Sequence, residues 1–291
     1  QSIDQINDNA NVTFNGQYLV DGSKNSATKA TCTALTNQSL GLSTTGSTKL
    51  TELTARNGDK LNIRATDKVT VSWVKDGKTY SCSMEVKDST TLSKVFDTLT
   101  DGNNKLSTYI DIKNTGSLIT VDGSGNTVYT ASGESALTLV AAKSGIDEQI
   151  SGFTISITDN TGAVRKSANA ALDAFNETLR AQNTSEDNSI NLQVGTKANQ
   201  TIKVGLTDMK AQALGLQGKD NSTLQVGNQK QANAAINVLD AAIQKALDQQ
   251  TTIGAVQSRL EYTQSNLTTA SENVTAAEST IRDADMAKEM T

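Results

Sequence analysis

The stretch ANAAINVLDAAIQKALDQQTTIGAVQSRLEYTQSNLTTASENVTAAESTIRDADMAKEM, residues 232–290, contains no proline and a single glycine, Gly254. Apolar or small residues recur at Ile236, Leu239, Ile243 and Ala246, then at Ile253, Val256 and Leu260. They continue at Leu267, Ala270, Val274, Ala277, Ile281 and Ala284. Alternating steps of three and four residues mark one seam of a long helix of coiled-coil type, beginning near residue 229. At ~1.5 Å per residue this helix spans about 90 Å. The period is interrupted between Ile253 and Val256, beside Gly254, where the winding is expected to change locally without ending the helix. Glu278 and Arg282 form a favourable i, i+4 pair on the outer side.

Such a helix gains its stability from burying its seam, not from propensity alone. Ile236, Leu239, Ile243, Leu260, Leu267, Val274 and Ile281 are therefore the expected packing and assembly residues. Only two other segments of the chain have a marked helical pattern, and both are short. The terminal MAKEMT lacks glycine, asparagine or proline to stop the helix. At the other end, QSIDQINDNA begins without methionine and with Ile3 and Ile6 already at helical spacing. Truncation at both ends is the expectation.

The 291 residues are 36% hydrophobic and only 3% aromatic, with one tryptophan, no proline and a net charge of −5. That balance speaks for an elongated molecule with much surface per residue. It disfavours nucleic acid, because phosphate contacts need clustered Lys or Arg. No apolar run reaches membrane-spanning length. Histidine is absent, which removes the usual general base and the commonest metal ligand. No catalytic, metal or cofactor site is expected. Cys32 and Cys82 make no metal spacing. Cys82 alternates with Tyr80 and Met84 on an apolar strand face, so buried thiols are the simpler reading and a disulfide the alternative.

The middle of the chain, 23–187, follows another period. In DKLNIRATDKVTVSWVKDGKTYSCSMEV (59–86), strands are expected at Leu61 and Ile63, at Val69, Val71 and Trp73, and at Tyr80, Cys82, Met84 and Val86. Asp76–Gly77 is the hairpin turn. TLSKVFDTLTDG (91–102) places Leu92, Val95, Phe96 and Leu99 on one face of a short helix closed by Gly102. Further strands are expected at Tyr109–Ile112, Leu118–Val121, Val128–Tyr129 and Phe153–Ile157, followed by a helix over AVRKSANAALDAFNETL (163–179). These predict a β-rich α+β block of two subdomains, about 47–102 and 107–187, or of one domain in two halves.

Three segments outside that block, VTFNGQYLVDGS (12–23), INLQVGTKANQTIKVGLTDMKAQALGL (190–216) and residues 232–290, closely resemble bacterial flagellin in order, spacing and wording. The resemblance covers about 110 residues at the two ends, and the middle corresponds to the family's variable outer region. It implies an α+β, elongated, multi-domain fold. Residues 1–22 are the N-terminal part of a core rod domain, 23–187 an inserted outer domain, and 188–291 the C-terminal part of the rod, with its β-hairpin and long helix. It further implies a secreted structural subunit that self-assembles into the extracellular flagellar filament for motility and presents a solvent-facing, antigenic domain. The implied partners are other flagellin subunits, an export chaperone and cap proteins. QSRLEYTQSNL (257–267) resembles the rod segment near which the innate-immune flagellin receptor binds, which makes Gln257, Arg259, Leu260 and Glu261 candidate contacts, although rod packing and filament contacts are the favoured explanation of any single one.

The alternatives are a hook–filament junction protein of the same superfamily, or a surface adhesin acting through its middle domain. The latter needs an exposed aromatic patch, for which Trp73 and a few tyrosines are available. Some flagellins carry a zinc protease in the variable region, but its HExxH motif needs histidine. Asp283, Asp285 and Glu289 spread around the helix and read as a solvated face. DGSGNTVYTASGE (122–134) lacks the ligand alternation of an EF-hand and reads as a glycine-rich turn. The Asn-x-Ser/Thr triplets at Asn11, Asn37, Asn183 and Asn266 are expected by chance in so Asn- and Thr-rich a chain.

Overall fold

A computed structural model describes residues 1–113, 118–129, 136–195, 197–288 and 290. Helix α1 (Ser2–Ala10) leads into a hairpin, β1 (Thr13–Phe14) and β2 (Gln17–Tyr18). There follow β3 (Ala34–Asn37), β4 (Lys68–Lys75), β5 (Lys78–Glu85), α2 (Leu92–Thr98), β6 (Thr100–Asp101), β7 (Asn104–Lys105), α3 (Leu106–Tyr109) and β8 (Ile110–Lys113). Then come β9 (Leu118–Val121), β10 (Thr127–Tyr129), β11 (Leu137–Ala141), β12 (Ile150–Thr158), α4 (Lys166–Leu172) and β13 (Phe175–Leu179). The hairpin β14 (Ile190–Gln193) and β15 (Thr201–Val204) precedes the 60-residue helix α5 (Gln229–Lys288).

Two antiparallel sheets build the middle of the chain, one ordered β12-β4-β5 and the other β13-β3-β11-β8. Val69, Val71 and Trp73 alternate along β4 and are fully buried, as the period of two demands. Asp76 and Gly77, both at positive φ, form a two-residue turn that fixes the β4–β5 register at Lys75 opposite Lys78. Trp73 stacks on Tyr80 at 5.5 Å, and Phe153 meets Phe96 and Phe175 at 5.8 and 5.2 Å. Strand β4 comes from the first expected half and β12 from the second, and the residues of both halves share one apolar core. The halves are interleaved because β12 returns across the sheet to pair with β4 and not with its neighbours in sequence.

Several local expectations need correction. Leu61 and Ile63 are buried but form no strand. Their segment is held to the core by Leu61 N–H donating to the Leu53 carbonyl. The first of the Tyr109–Ile112 residues ends α3, so β8 begins one residue later. Gly102, at φ 60°, turns the β6–β7 hairpin instead of closing α2. The helix expected over 163–179 stops at Leu172, and Phe175, Glu177 and Leu179 alternate inward as β13 against β3. Asn37 ends that register. It is fully buried, and its Nδ2 donates to the carbonyls of Ala171 and Leu172 at the end of α4. That burial also removes Asn37 as a glycosylation acceptor. Cys32 and Cys82 are both buried free thiols.

The second face of β4 decides how the sheets meet α5. Val74, fully buried, joins Ala234, Val238 and Ala242 of α5 and Ala211, Leu214 and Leu216 in a second apolar cluster, on which Ile3 and Ile6 of α1 also pack. Asn7 ties α1 in place, because its Oδ1 accepts from Ala211 N–H and its Nδ2 donates to Gln217 Oε1. A third cluster gathers Ile202, Val204 and Leu206 with Leu19, Val20, Val256 and Leu260. At the helix–sheet contact the backbone approach is set by Gly152. A Cβ there would lie 2.6 Å from Val238 Cγ2 and 2.8 Å from the Ala234 carbonyl. Gly152→Ala is therefore expected to destabilise the protein by about 1–3 kcal/mol through overpacking. Adding Val238→Ala should recover only part of the loss, since the clash with backbone remains. Urea unfolding followed by Trp73 fluorescence measures both, and a neutral Gly152→Ala would contradict the close contact.

Candidate functional site

Helix α5 carries two apolar stripes. Ala234, Val238 and Ala242 face the sheets, and the same side continues through Lys245 and Gln249 to Val256 and Leu260 under the β14–β15 hairpin. A second stripe runs along a different side. Ile236, Leu239, Ile243 and Leu247 are 56%, 46%, 54% and 47% exposed. Of the seam residues expected from the sequence, Leu260 is covered by the hairpin, whereas Ile236, Leu239, Ile243, Leu267, Val274 and Ile281 face solvent in this chain. The steps of three and four thus mark a stripe that the chain's own sheets leave open over its first half. The covered stripe escapes a reading by hydropathy because it is built of alanines, Val238 and two polar residues. Helical spacing from Val238 to Ala242, Lys245 and Gln249 is its only signal in the sequence.

Beyond Leu260 the helix and the hairpin enclose an open groove of about 960 Å³, lined by Val194, Leu260, Thr263, Leu267 and Ser271 among others. Gln257 and Glu261 pair along the helix, Nε2 donating to Oε1 at 3.1 Å, and both are exposed with Arg259. Glu278 and Arg282 pair at 3.4 Å. The helix is rich in threonine, a residue that competes with helical backbone bonding. Here the hydroxyls of Thr251, Thr252, Thr263, Thr268, Thr269, Thr275 and Thr280 each donate to the carbonyl four residues back. Their polar groups are satisfied within the helix.

Among the described residues, no three His, Cys, Asp or Glu side chains are placed to hold a metal ion. Asp283, Asp285 and Glu289 lie outside the described side chains, as do residues 130–134 of the glycine-rich turn. No helix of the described residues is long and apolar enough to cross a membrane. Trp73 is fully buried in the core, so it is not available to a surface aromatic patch of an adhesin.

Residues 236–291 match the family model for the bacterial flagellin C-terminal helical region. That segment is similar to the C-terminal helix of bacterial flagellins. The flagellin of Bacillus subtilis (strain 168) is 34% identical over 162 residues, covering 50% of this chain and 53% of that protein. The flagellar filament 33 kDa core protein of Treponema phagedenis is 45% identical over 98 residues, covering 33% of this chain and 34% of that protein. The putative flagellin YvzB of Bacillus subtilis (strain 168) is 39% identical over 105 residues, 36% of this chain and 64% of that protein. The chain spans about half the length of the Bacillus flagellin and a third of the Treponema core protein. The flagellar cap protein FliD of Escherichia coli superposes with a TM-score of 0.27 at 16% identity, over 81% of this chain and 70% of that one. A score that low establishes no common fold.

One residue of α5 has a charge to account for. Lys245 is buried in the sheet-facing stripe, and its Nζ donates to Gln149 Oε1 at 3.4 Å and the Ala213 carbonyl at 3.1 Å, both neutral. Desolvation pulls its pKa below the ordinary lysine value, with Glu177 opposing and Arg180 adding to the shift. The unfolded chain therefore keeps this proton to higher pH than the folded one. Stability gains a contribution as pH climbs through the lowered folded value toward the ordinary lysine value, and none below it. In Lys245→Met that alkaline increment is expected to vanish. Urea unfolding of both proteins across about pH 7–11, the span that brackets a lowered lysine, tests this, and parallel pH profiles would refute it.

Proposed function

We propose that this chain is part of a structural subunit of the bacterial flagellar filament, acting by self-association of its long helix and not by catalysis. The observation that carries this reading is the stripe of Ile236, Leu239, Ile243 and Leu247, exposed along a helix that lies almost wholly in the flagellin C-terminal match. Large aliphatics repeated along one helix side at this exposure are costly in solution and are stabilised by helix–helix burial, at roughly 25 cal/mol per Å² of apolar surface. Residues 1–22 and 188–291 form the rod in this proposal, and 23–187 form an outer domain inserted between them. The contacts of Val74 and Gly152 with α5 fix that domain to the rod. Leu267, Val274 and Ile281 continue the assembly surface toward the end of the helix.

The setting is extracellular, with export through the flagellar apparatus, aided by a chaperone, and assembly under a cap. These partners come from the likeness to flagellins. An innate-immune receptor contact at Gln257, Arg259, Leu260 and Glu261 has the same source, supported by the exposure of Gln257, Arg259 and Glu261 on one segment.

Ile243→Asp in the full-length product of the gene is expected to leave thermal unfolding nearly unchanged, within about 0.5 kcal/mol as for other surface positions, yet to abolish filaments. Leu260→Asp, placing a charge beneath the hairpin, should instead destabilise the subunit itself. Circular dichroism and negative-stain microscopy separate the two effects. Normal filaments from Ile243→Asp would defeat the proposal for this stripe.

A further inference from the structure

Where the chain passes between α5 and the sheets it leaves a cavity of about 400 Å³. Lys245 and Gln249 line it from the helix, and Asp21 and Asp208 line it from the two connecting segments. Lys245, 8% exposed, uses two of its three N–H groups on neutral acceptors, and among the described residues no carboxylate lies within ion-pair distance of it. Gln249 is 7% exposed. Its Oε1 accepts from Thr207 N–H and Oγ1–H, while its buried Nε2 has no partner. A buried cation and a buried amide donor thus share one stretch of the helix, each with an acceptor missing.

The other side has the complementary deficit. Asp208 is desolvated, and the negative charge of Asp21 adds to the upward push on its pKa. Lys210 N–H donates to Asp208 Oδ1 at 2.9 Å, and Ser23 N–H and Oγ–H donate to Asp21 Oδ1 at 3.0 and 2.6 Å, but among the described residues neither carboxylate is in an ion pair. The nearby Arg180 guanidinium is already held by Glu177 at 3.3 Å and Asp248 at 2.7 Å.

We infer that this cavity binds a small zwitterion of amino-acid size, its carboxylate received by Lys245 and Gln249 and its ammonium by Asp208 and Asp21. A simple anion would add negative charge beside the two aspartates. A simple cation would leave the helix donors unsatisfied. Water satisfies Gln249 but neutralises neither unpaired charge. The inference is independent of filament assembly.

Isothermal titration calorimetry of the whole chain with L-alanine, propionate and ethylammonium at matched ionic strength tests it. L-alanine is expected to bind saturably at one site, and each half-molecule at least about tenfold more weakly, as for loss of one charge-assisted contact. Lys245→Met and Gln249→Met should weaken L-alanine by a similar factor, and Asp208→Asn should weaken L-alanine without weakening propionate. Because a variant can perturb folding, the Gln249 side-chain amide resonance of the unmodified protein supplies a second measure, expected to shift with L-alanine along the same binding curve. No saturable heat and no amide shift would overturn the site. So would propionate binding as tightly as L-alanine, or folded variants that bind like the parent.

Discussion

The close approach of α5 to the β12-β4-β5 sheet is the contact on which the other arrangements depend. It requires a strand buried on both faces, which β4 supplies with Trp73 on one side and Val74 on the other. It also requires a neighbouring strand position without a side chain, which Gly152 supplies, and small residues on the helix, which Ala234 and Ala242 supply. Asn237 adds a polar anchor, its Nδ2 donating to the Phe153 carbonyl. With the helix pinned there, its next turns are carried past the 205–213 segment, where Gln249 receives Thr207, and on to the β14–β15 hairpin. The orientation of the outward stripe follows from that single contact, because residues on a helix cannot turn independently of one another.

Interleaving of the middle block strengthens the same point. The sheet partner of β3 on one side is β11 and on the other β13, both far along the chain from it. Strand β12, which bears Gly152, is held on its other face by Phe153 and Ile155 in the main core. Contacts of such long sequence separation couple the helix-docking strand to the whole apolar core. Phe153, the residue after Gly152, packs against Phe96 and Phe175, so the sheet–helix contact lies one residue from the aromatic part of the core.

Features with strong local periods are legible in the amino-acid sequence itself. The long helix, the β4–β5 hairpin with Asp76–Gly77 and the face of α2 all follow from spacing and turn chemistry, and the hairpin of 190–204 from the resemblance. What escapes is governed by partners distant in sequence. The stretch after Leu172 has helical propensity through Ala174 and Glu177, but the inward alternation of Phe175, Glu177 and Leu179 against β3 prevails. Strand β3 itself, four residues long, has too little pattern to be seen without β11 and β13. In the candidate site the outward stripe is readable from its large aliphatics. The inward one is hidden because alanine, lysine and glutamine fill it, and their burial depends on Val74, Gln149 and Thr207 from elsewhere in the chain.

The back-bonded threonines of α5 alter what the helix offers to a neighbour. A threonine whose hydroxyl proton is committed to its own helix has none left to donate to a neighbour, so its γ-methyl weighs more in what it offers. Repeated from Thr251 to Thr280, this makes the outer half of the helix more hydrocarbon in character than its letters imply. A hydropathy scale, which assigns every threonine the polarity of a free alcohol, understates how readily such a surface sheds its water. Lateral packing of a compositionally polar helix then needs few large side chains, and it can be reversed without leaving buried hydroxyls unsatisfied.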